Sequence, residues 1–226
     1  MTGNIVNTLA IIAGSIFGVA FKNKIADRFS DLMVEALAIS IMVYGVSQGI
    51  TTQNPLILFA SIALGALIGE AIDIEKKLND LGDFFQRRMK NSANVTQGFV
   101  TASLLFCVGA MAIMGGLQSG LQGNHEILFA KSFLDGIMSV IFASAMGIGV
   151  VLSAISVFVY QGTIVLLSGL IKPFLAQEVI VEMTAVGGVL IFGIGINMLK
   201  IKRLKLGNML PAVFVPVLIG FFMNLI

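Results

Sequence analysis

Lys131 and Asp135 stand four residues apart in the stretch Lys131-Ser132-Phe133-Leu134-Asp135-Gly136, within an otherwise apolar run. On a helix that spacing stacks an ammonium and a carboxylate one turn apart on the same face, where they can pair. Ionisable groups inside an apolar helix are expensive, and they commonly mark a path for ions or solutes. Asp135 is therefore the leading candidate to carry a coupling proton or cation, or to meet a cationic group of a substrate. A pair at the membrane interface that merely anchors its helix would have the same spacing. Gln118, Ser119 and Gln161 are candidates to orient a solute, with Tyr160 beside Gln161. Glu35, Glu182 and Asn197 are secondary candidates. The two glutamates begin glycine-containing helices, where the helix dipole alone would favour a carboxylate. Asn7, Gln48 and Asn197 suit either a substrate or a hydrogen bond to a neighbouring helix.

Other chemistry lacks its residues. His125 is alone, and no His/Cys/Glu group has metal-ligand spacing, so neither a metal nor another cofactor is expected. No nucleophile elbow, zinc-protease or P-loop pattern occurs, which argues against an enzyme. A net charge of +2 is too small to suggest a nucleic-acid partner. The single cysteine, Cys107, lies in an apolar run and reads as a small buried hydrophobe.

The elements that must hold these residues are membrane helices. Of 226 residues, 57% are hydrophobic and 12% charged, and the mean hydropathy is +0.99. Soluble domains carry about twice that charge. A bilayer core needs roughly 20 apolar residues per helix. Eight stretches qualify: 4–21, 32–50, 55–72, 98–118, 132–147, 149–171, 178–199 and 206–226. The chain therefore reads as an all-α polytopic membrane helix bundle, one transmembrane domain over 1–226. The fifth and sixth stretches form one run that would make a helix of roughly 60 Å, so it must fold back. Gly147-Ile148-Gly149 is the favoured turn, with Ser153-Ala154 the alternative.

Loop charge orients the bundle. Twelve of the fourteen basic residues fall in the first, third and seventh loops, with Lys131 assigned to the edge of the fourth. Basic residues concentrate in cytoplasmic loops. Eight crossings put those three loops on one side and both termini outside; seven would misplace the last cluster. No basic residue precedes the first apolar run, so its helix is expected to be retained rather than cleaved.

Residues 73–97 read as a cytoplasmic amphipathic linker helix, with Ile74, Leu78, Leu81 and Phe85 at helical spacing and Phe84 beside them. Glycines four apart at Gly14/Gly18, Gly45/Gly49, Gly65/Gly69 and Gly116/Gly120 suit close helix packing. Gly115 to Gly123 is polar and glycine-rich, which suggests a broken or re-entrant segment lining a cavity, or else an outer loop.

Two regions look alike. Val34-Glu35-Ala36-Leu37 resembles Val181-Glu182-Met183-Thr184, and Val43-Tyr44-Gly45-Val46-Ser47 resembles Ile191-Phe192-Gly193-Ile194-Gly195. Phe59 and Gly65 fall opposite Phe214 and Gly220. Spans 1–3 thus align with spans 6–8, the first pair only weakly. The topology makes the repeat an inverted one, a design found in many secondary transporters.

The stretch Phe106 to Gly120, the Lys131–Gly136 motif, and Ser153-Ala154 followed by Tyr160-Gln161-Gly162 together resemble the bacterial membrane-protein family of the YdfK/YqgA type, a domain of unknown function. The resemblance covers essentially the whole chain. It implies a protein of the bacterial cytoplasmic membrane and supplies no substrate. The leading expectation is a secondary transporter moving a small solute or ion by alternating access. The alternatives are an ion channel and a non-transporting membrane scaffold or sensor. The bilayer and a small solute are the expected partners, and a homo-oligomer is compatible with the sequence.

Overall fold

The computed structural model describes residues 1–22, 27–88, 95–107 and 109–223. Among them every regular element is helical. The helices are α1 (Thr2–Lys22), α2 (Asp27–Gly49), α3 (Pro55–Ile72), α4 (Ile74–Arg88), α5 (Val95–Cys107), α6 (Ala110–Leu121), α7 (Glu126–Met146), α8 (Gly149–Leu166), α9 (Ser168–Ile171), α10 (Gln177–Met198), α11 (Leu206–Met209) and α12 (Val215–Met223). Short 3₁₀ turns occupy Lys172–Phe174 and Leu210–Phe214.

Six of these helices (α1, α2, α3, α7, α8 and α10) are long and apolar enough to cross a membrane. The bent pair α5–α6 makes a seventh if it is one span, and Leu206–Phe222 forms a shorter apolar run. The last predicted span is thus not one helix: Pro211 removes a backbone donor near its start, and the chain tightens into a 3₁₀ turn there.

The helices form two compact units that interleave along the chain. The first comprises residues 1–34, 78–107 and 111–170. In it α1 packs along α7 in the same direction. Gly3 meets Leu128, Gly14 meets Gly136 and Ser139, and Gly18 meets Val140 and Ala143. α8 runs parallel to α5 and α6 in the same manner, with Gly149 on Val95, Gly116 on Ile164 and Gly120 on Ser168. α7 and α8 form an antiparallel hairpin that turns at Gly147, whose φ of 84° favours glycine. The fold-back is therefore at Gly147-Ile148-Gly149. Ser153 and Ala154 instead lie buried inside α8.

The second unit comprises residues 35–77, 108–110 and 171–226. Here α2 and α10 cross antiparallel, backbone against backbone. Gly195 meets Ala38 and Met42, Gly45 meets Phe192 and Gly188, and Gly49 approaches Ala185. α3 runs antiparallel to the last segment, with Gly65 on Ala212 and Gly69 on Asn208. All four glycine pairs read from the sequence thus sit at helix crossings. Removing the Cβ lets backbones approach where lipid offers no hydrophobic incentive to associate.

The amphipathic helix forms as α4, in which Ile74 and Leu78 are half-buried and Phe84 is exposed. The side chains of Leu81 and Phe85 lie outside the described residues, as do those of Lys22, Lys24, Arg28, Arg87, Arg88 and Lys90.

The glycine-rich segment departs from expectation. Gly115, Gly116 and Gly120 lie in continuous α6, and a turn begins only after Leu121. The break falls earlier, between Cys107 and Ala110, where α5 and α6 meet at 61° and Gly109 takes a φ of 130°. The glycines after the break serve packing, not irregular backbone.

Candidate functional site

The first unit builds a polar cluster from three helices. Lys131 and Asp135 are joined on α7, with Nζ 2.9 and 2.7 Å from the two carboxylate oxygens. They are 6% and 7% exposed. The pair lies in the second and third turns of α7, which starts at Glu126 rather than near residue 132. Lys131 is thus no loop-edge charge, because the helix gains a turn and a half over the stretch read from hydropathy.

Three amides extend the cluster. Asn7, on α1, donates its Nδ2 to Asp135 Oδ2 at 3.0 Å and to Gln161 Oε1 at 3.2 Å. One turn before it, Asn4 donates to the carbonyl of Phe158 on α8 at 3.0 Å. Asn4, Asn7 and Gln161 are each fully buried. Their amide orientations are fixed in sequence. Turning Asn7 over would set its oxygen against the Asp135 carboxylate. Turning Gln161 over would set its NH₂ against that of Asn7. Turning Asn4 over would oppose two carbonyl oxygens. The remaining group on each is consequently defined: Asn4 Oδ1, Asn7 Oδ1 and Gln161 Nε2 are buried with no hydrogen-bond partner among the described residues. Such vacancies are rare in folded proteins and cost roughly 1–3 kcal/mol each when left empty.

Cys107 closes one side. The hairpin register, with Gly115 on Leu128 and Ser119 on His125, brings the end of α5 level with Asp135. The thiol there is half-buried, as is Tyr160. The broken span therefore ends beside the ion pair.

The other predicted residues separate. Ser119 hydrogen-bonds the His125 imidazole at 2.9 Å, at the far end of the α6–α7 hairpin. Gln118 is half-buried in the same turn. Both belong to the end of the hairpin and not to the Asp135 cluster. Glu35 is exposed on α2. Glu182 is buried, yet it sits in the second turn of α10 and does not serve its own helix start. Its carboxylate accepts from the Thr52 hydroxyl at 2.6 Å and from the backbone N–H groups of Gln53 and Asn54 at 2.7 and 3.0 Å. It thereby holds the turn that leads into α3. Asn197 clamps the loop after α10 by bonding both backbone groups of Leu204. At the other end of α3, Glu70 receives Lys205 and Asn208, and the carboxylate beside it holds the Lys205 ammonium above its ordinary range. A cleft of about 350 Å³ in this unit is lined by Gln53, Asn54, Glu178, Glu182 and Pro216 among others.

Asn7 is the cluster member the sequence treated as generic. Its signal was the i, i+3 spacing with Asn4 in an otherwise apolar first helix.

The fold and cluster define a helical membrane protein with an ion pair buried among its spans. The chain belongs to the family described as "Protein of unknown function (DUF554)", which matches residues 2–221. It is similar to the uncharacterized membrane protein YdfK of Bacillus subtilis (strain 168), with 34% identity covering 99% of this chain and 97% of that one. It is also similar to the uncharacterized protein YqgA of Escherichia coli (strain K12), with 30% identity over 93% of this chain and 92% of that one. No solved structure matches it significantly.

Proposed function

We propose that the protein is a secondary transporter that moves a small solute or ion across the bacterial cytoplasmic membrane by alternating access. The observation that carries this reading is the Lys131–Asp135 pair, buried in apolar helices and flanked by three amides with unspent polar atoms. A purely structural pair would be better served by well-packed apolar side chains, which are often as stable or more so. The break between α5 and α6 supports it too, since interrupted helices in transporters place their ends at the substrate.

Within each unit, neighbouring helices run in the directions that alternating crossings require, which supports reading spans 1–3 and 6–8 as an inverted repeat. α2 crosses α10 antiparallel, with Gly45 on Phe192, two positions that the sequence alignment sets within one residue of each other. A pseudo-twofold axis in the membrane plane requires such self-pairing.

The test is uptake into proteoliposomes, screened over radiolabelled amino acids, organic acids and inorganic cations. Saturable flux of one of them, reduced at least tenfold in Asp135→Asn, is expected. A saturable flux that Asp135→Asn leaves unchanged would sink the reading.

A further inference from the structure

We infer that the cluster is a binding site for a monovalent metal cation, and that the Lys131 ammonium is its built-in competitor. This deepens the transport reading by naming the ion, although binding alone does not require transport.

The argument starts from the vacancies. Asn4 and Asn7 lie on one face of α1, one turn apart, both fully buried, and the Oδ1 of each is without a donor among the described residues. Two acceptors cannot satisfy each other. Only a donor or a cation brought from outside can satisfy them. Asn7 touches Asp135 through its other atom, so the free amide oxygen and the carboxylate share one neighbourhood. Carbonyl, amide and carboxylate oxygens are the ligands hard cations take. A proton coupled to Asp135 alone would have no use for two uncommitted amide oxygens.

Charge selects the valence. Asp135 supplies one negative charge, which Lys131 now neutralises at 2.7 Å. Exchanging the ammonium for one monovalent ion keeps the buried site neutral once Lys131 swings away. A divalent ion would leave a net positive charge in a medium of low dielectric. A water bound to the cation would accept the unused Gln161 Nε2–H, filling the third vacancy. Lys131, as the tethered cation, then decides when the site is open.

The probe is ²²Na⁺ bound to purified protein at constant ionic strength, with choline as the replacing cation. K⁺ and Li⁺ serve as competitors. Thermal unfolding, read by far-ultraviolet circular dichroism, monitors folding in parallel. Saturable, choline-insensitive binding is expected in the natural protein. Lys131→Met should bind at least tenfold more tightly, and Asn7→Ala in that background at least tenfold more weakly. The charge-neutral double variant Lys131→Met/Asp135→Asn should fold and bind nothing. The inference is overturned if folded natural protein and Lys131→Met show neither ²²Na⁺ binding nor a thermal shift with Na⁺, K⁺ or Li⁺, which would mean that water alone fills the vacancies. It is equally overturned if the double variant still binds. Solute uptake that depends on Asp135 without any cation binding would reject this inference and spare the transport reading. Cation binding without flux would do the reverse.

Discussion

Asn7 Nδ2 lies 3.0 Å from Asp135 Oδ2, joining the first helix of the chain to α7 across 128 positions of sequence. The donor is neutral and the acceptor charged, and both are buried. Interhelical hydrogen bonds in membranes average about 0.6 kcal/mol and reach about 1.7. Asn7→Leu is expected to cost about 1 kcal/mol and to lower the unfolding temperature in detergent. A shift no larger than that of a lipid-facing control such as Leu9→Ala would deny the bond any weight.

Lys131 and Asp135 should behave as a unit. Removing one partner of a buried pair leaves an uncompensated charge and costs about 3–5 kcal/mol. Lys131→Met and Asp135→Asn are each expected to be strongly destabilised in choline, and the double variant much less than the sum of the two. The double-mutant cycle by thermal unfolding checks this; simple additivity would contradict the geometry.

The glycine crossings predict a steep contrast. A Cβ at Gly14 would collide with the Gly136 carbonyl oxygen and with Ser139 Oγ, whereas one at Gly169 meets nothing within 4 Å. Gly14→Val should cost at least about 1–3 kcal/mol and deplete folded protein in the membrane fraction. Gly169→Ala should be neutral. Equal yields of monodisperse protein for the two would refute the parallel α1–α7 contact.

Glu182 offers a graded test. Glu182→Ala removes the acceptor for three donors in the turn before α3, while Glu182→Gln keeps one oxygen for the Gln53 and Asn54 N–H groups. Hydrogen exchange over residues 51–56 should therefore rise sharply in the alanine variant and modestly in the glutamine variant. A turn equally protected in all three proteins would show that the carboxylate does not hold it.

Eight crossings with both ends outside make a separate prediction. Alkaline phosphatase fused after Ile226 should be active, and the same enzyme fused after Lys90 inactive. The opposite pattern would invert the assigned orientation.

What the sequence could convey depended on distance along the chain. The Lys131/Asp135 pair was legible because its spacing is local, and the glycine pairs because i, i+4 spacing is itself a packing signal. The start of α7 was missed by more than a turn, since a lysine inside a helix looks like a loop charge to any hydropathy reading. The break at Gly109 was missed for a related reason. Glycine at 115, 116 and 120 suggested irregular backbone, but those residues are needed to admit Leu128, Ile164 and Ser168. One glycine with positive φ at 109 gave no compositional hint. The roles of Asn7, Glu182 and Asn197 rest on partners that only folding brings near, so their chemistry was visible and their use was not.

The pairing of α1 with α7 and α8 also has a consequence for biosynthesis. Asn4 and Asn7 leave the ribosome well before their partners, since Asp135, Phe158 and Gln161 follow more than 120 residues later. At about 5–20 residues per second, this helix must wait roughly 6 to 31 seconds before its amides find shelter. During that interval two uncapped carboxamides face either acyl chains or the insertion machinery. Final assembly of this half of the molecule is therefore a late event, and a nascent chain truncated before α7 should leave its first helix available to chaperones and quality-control proteases.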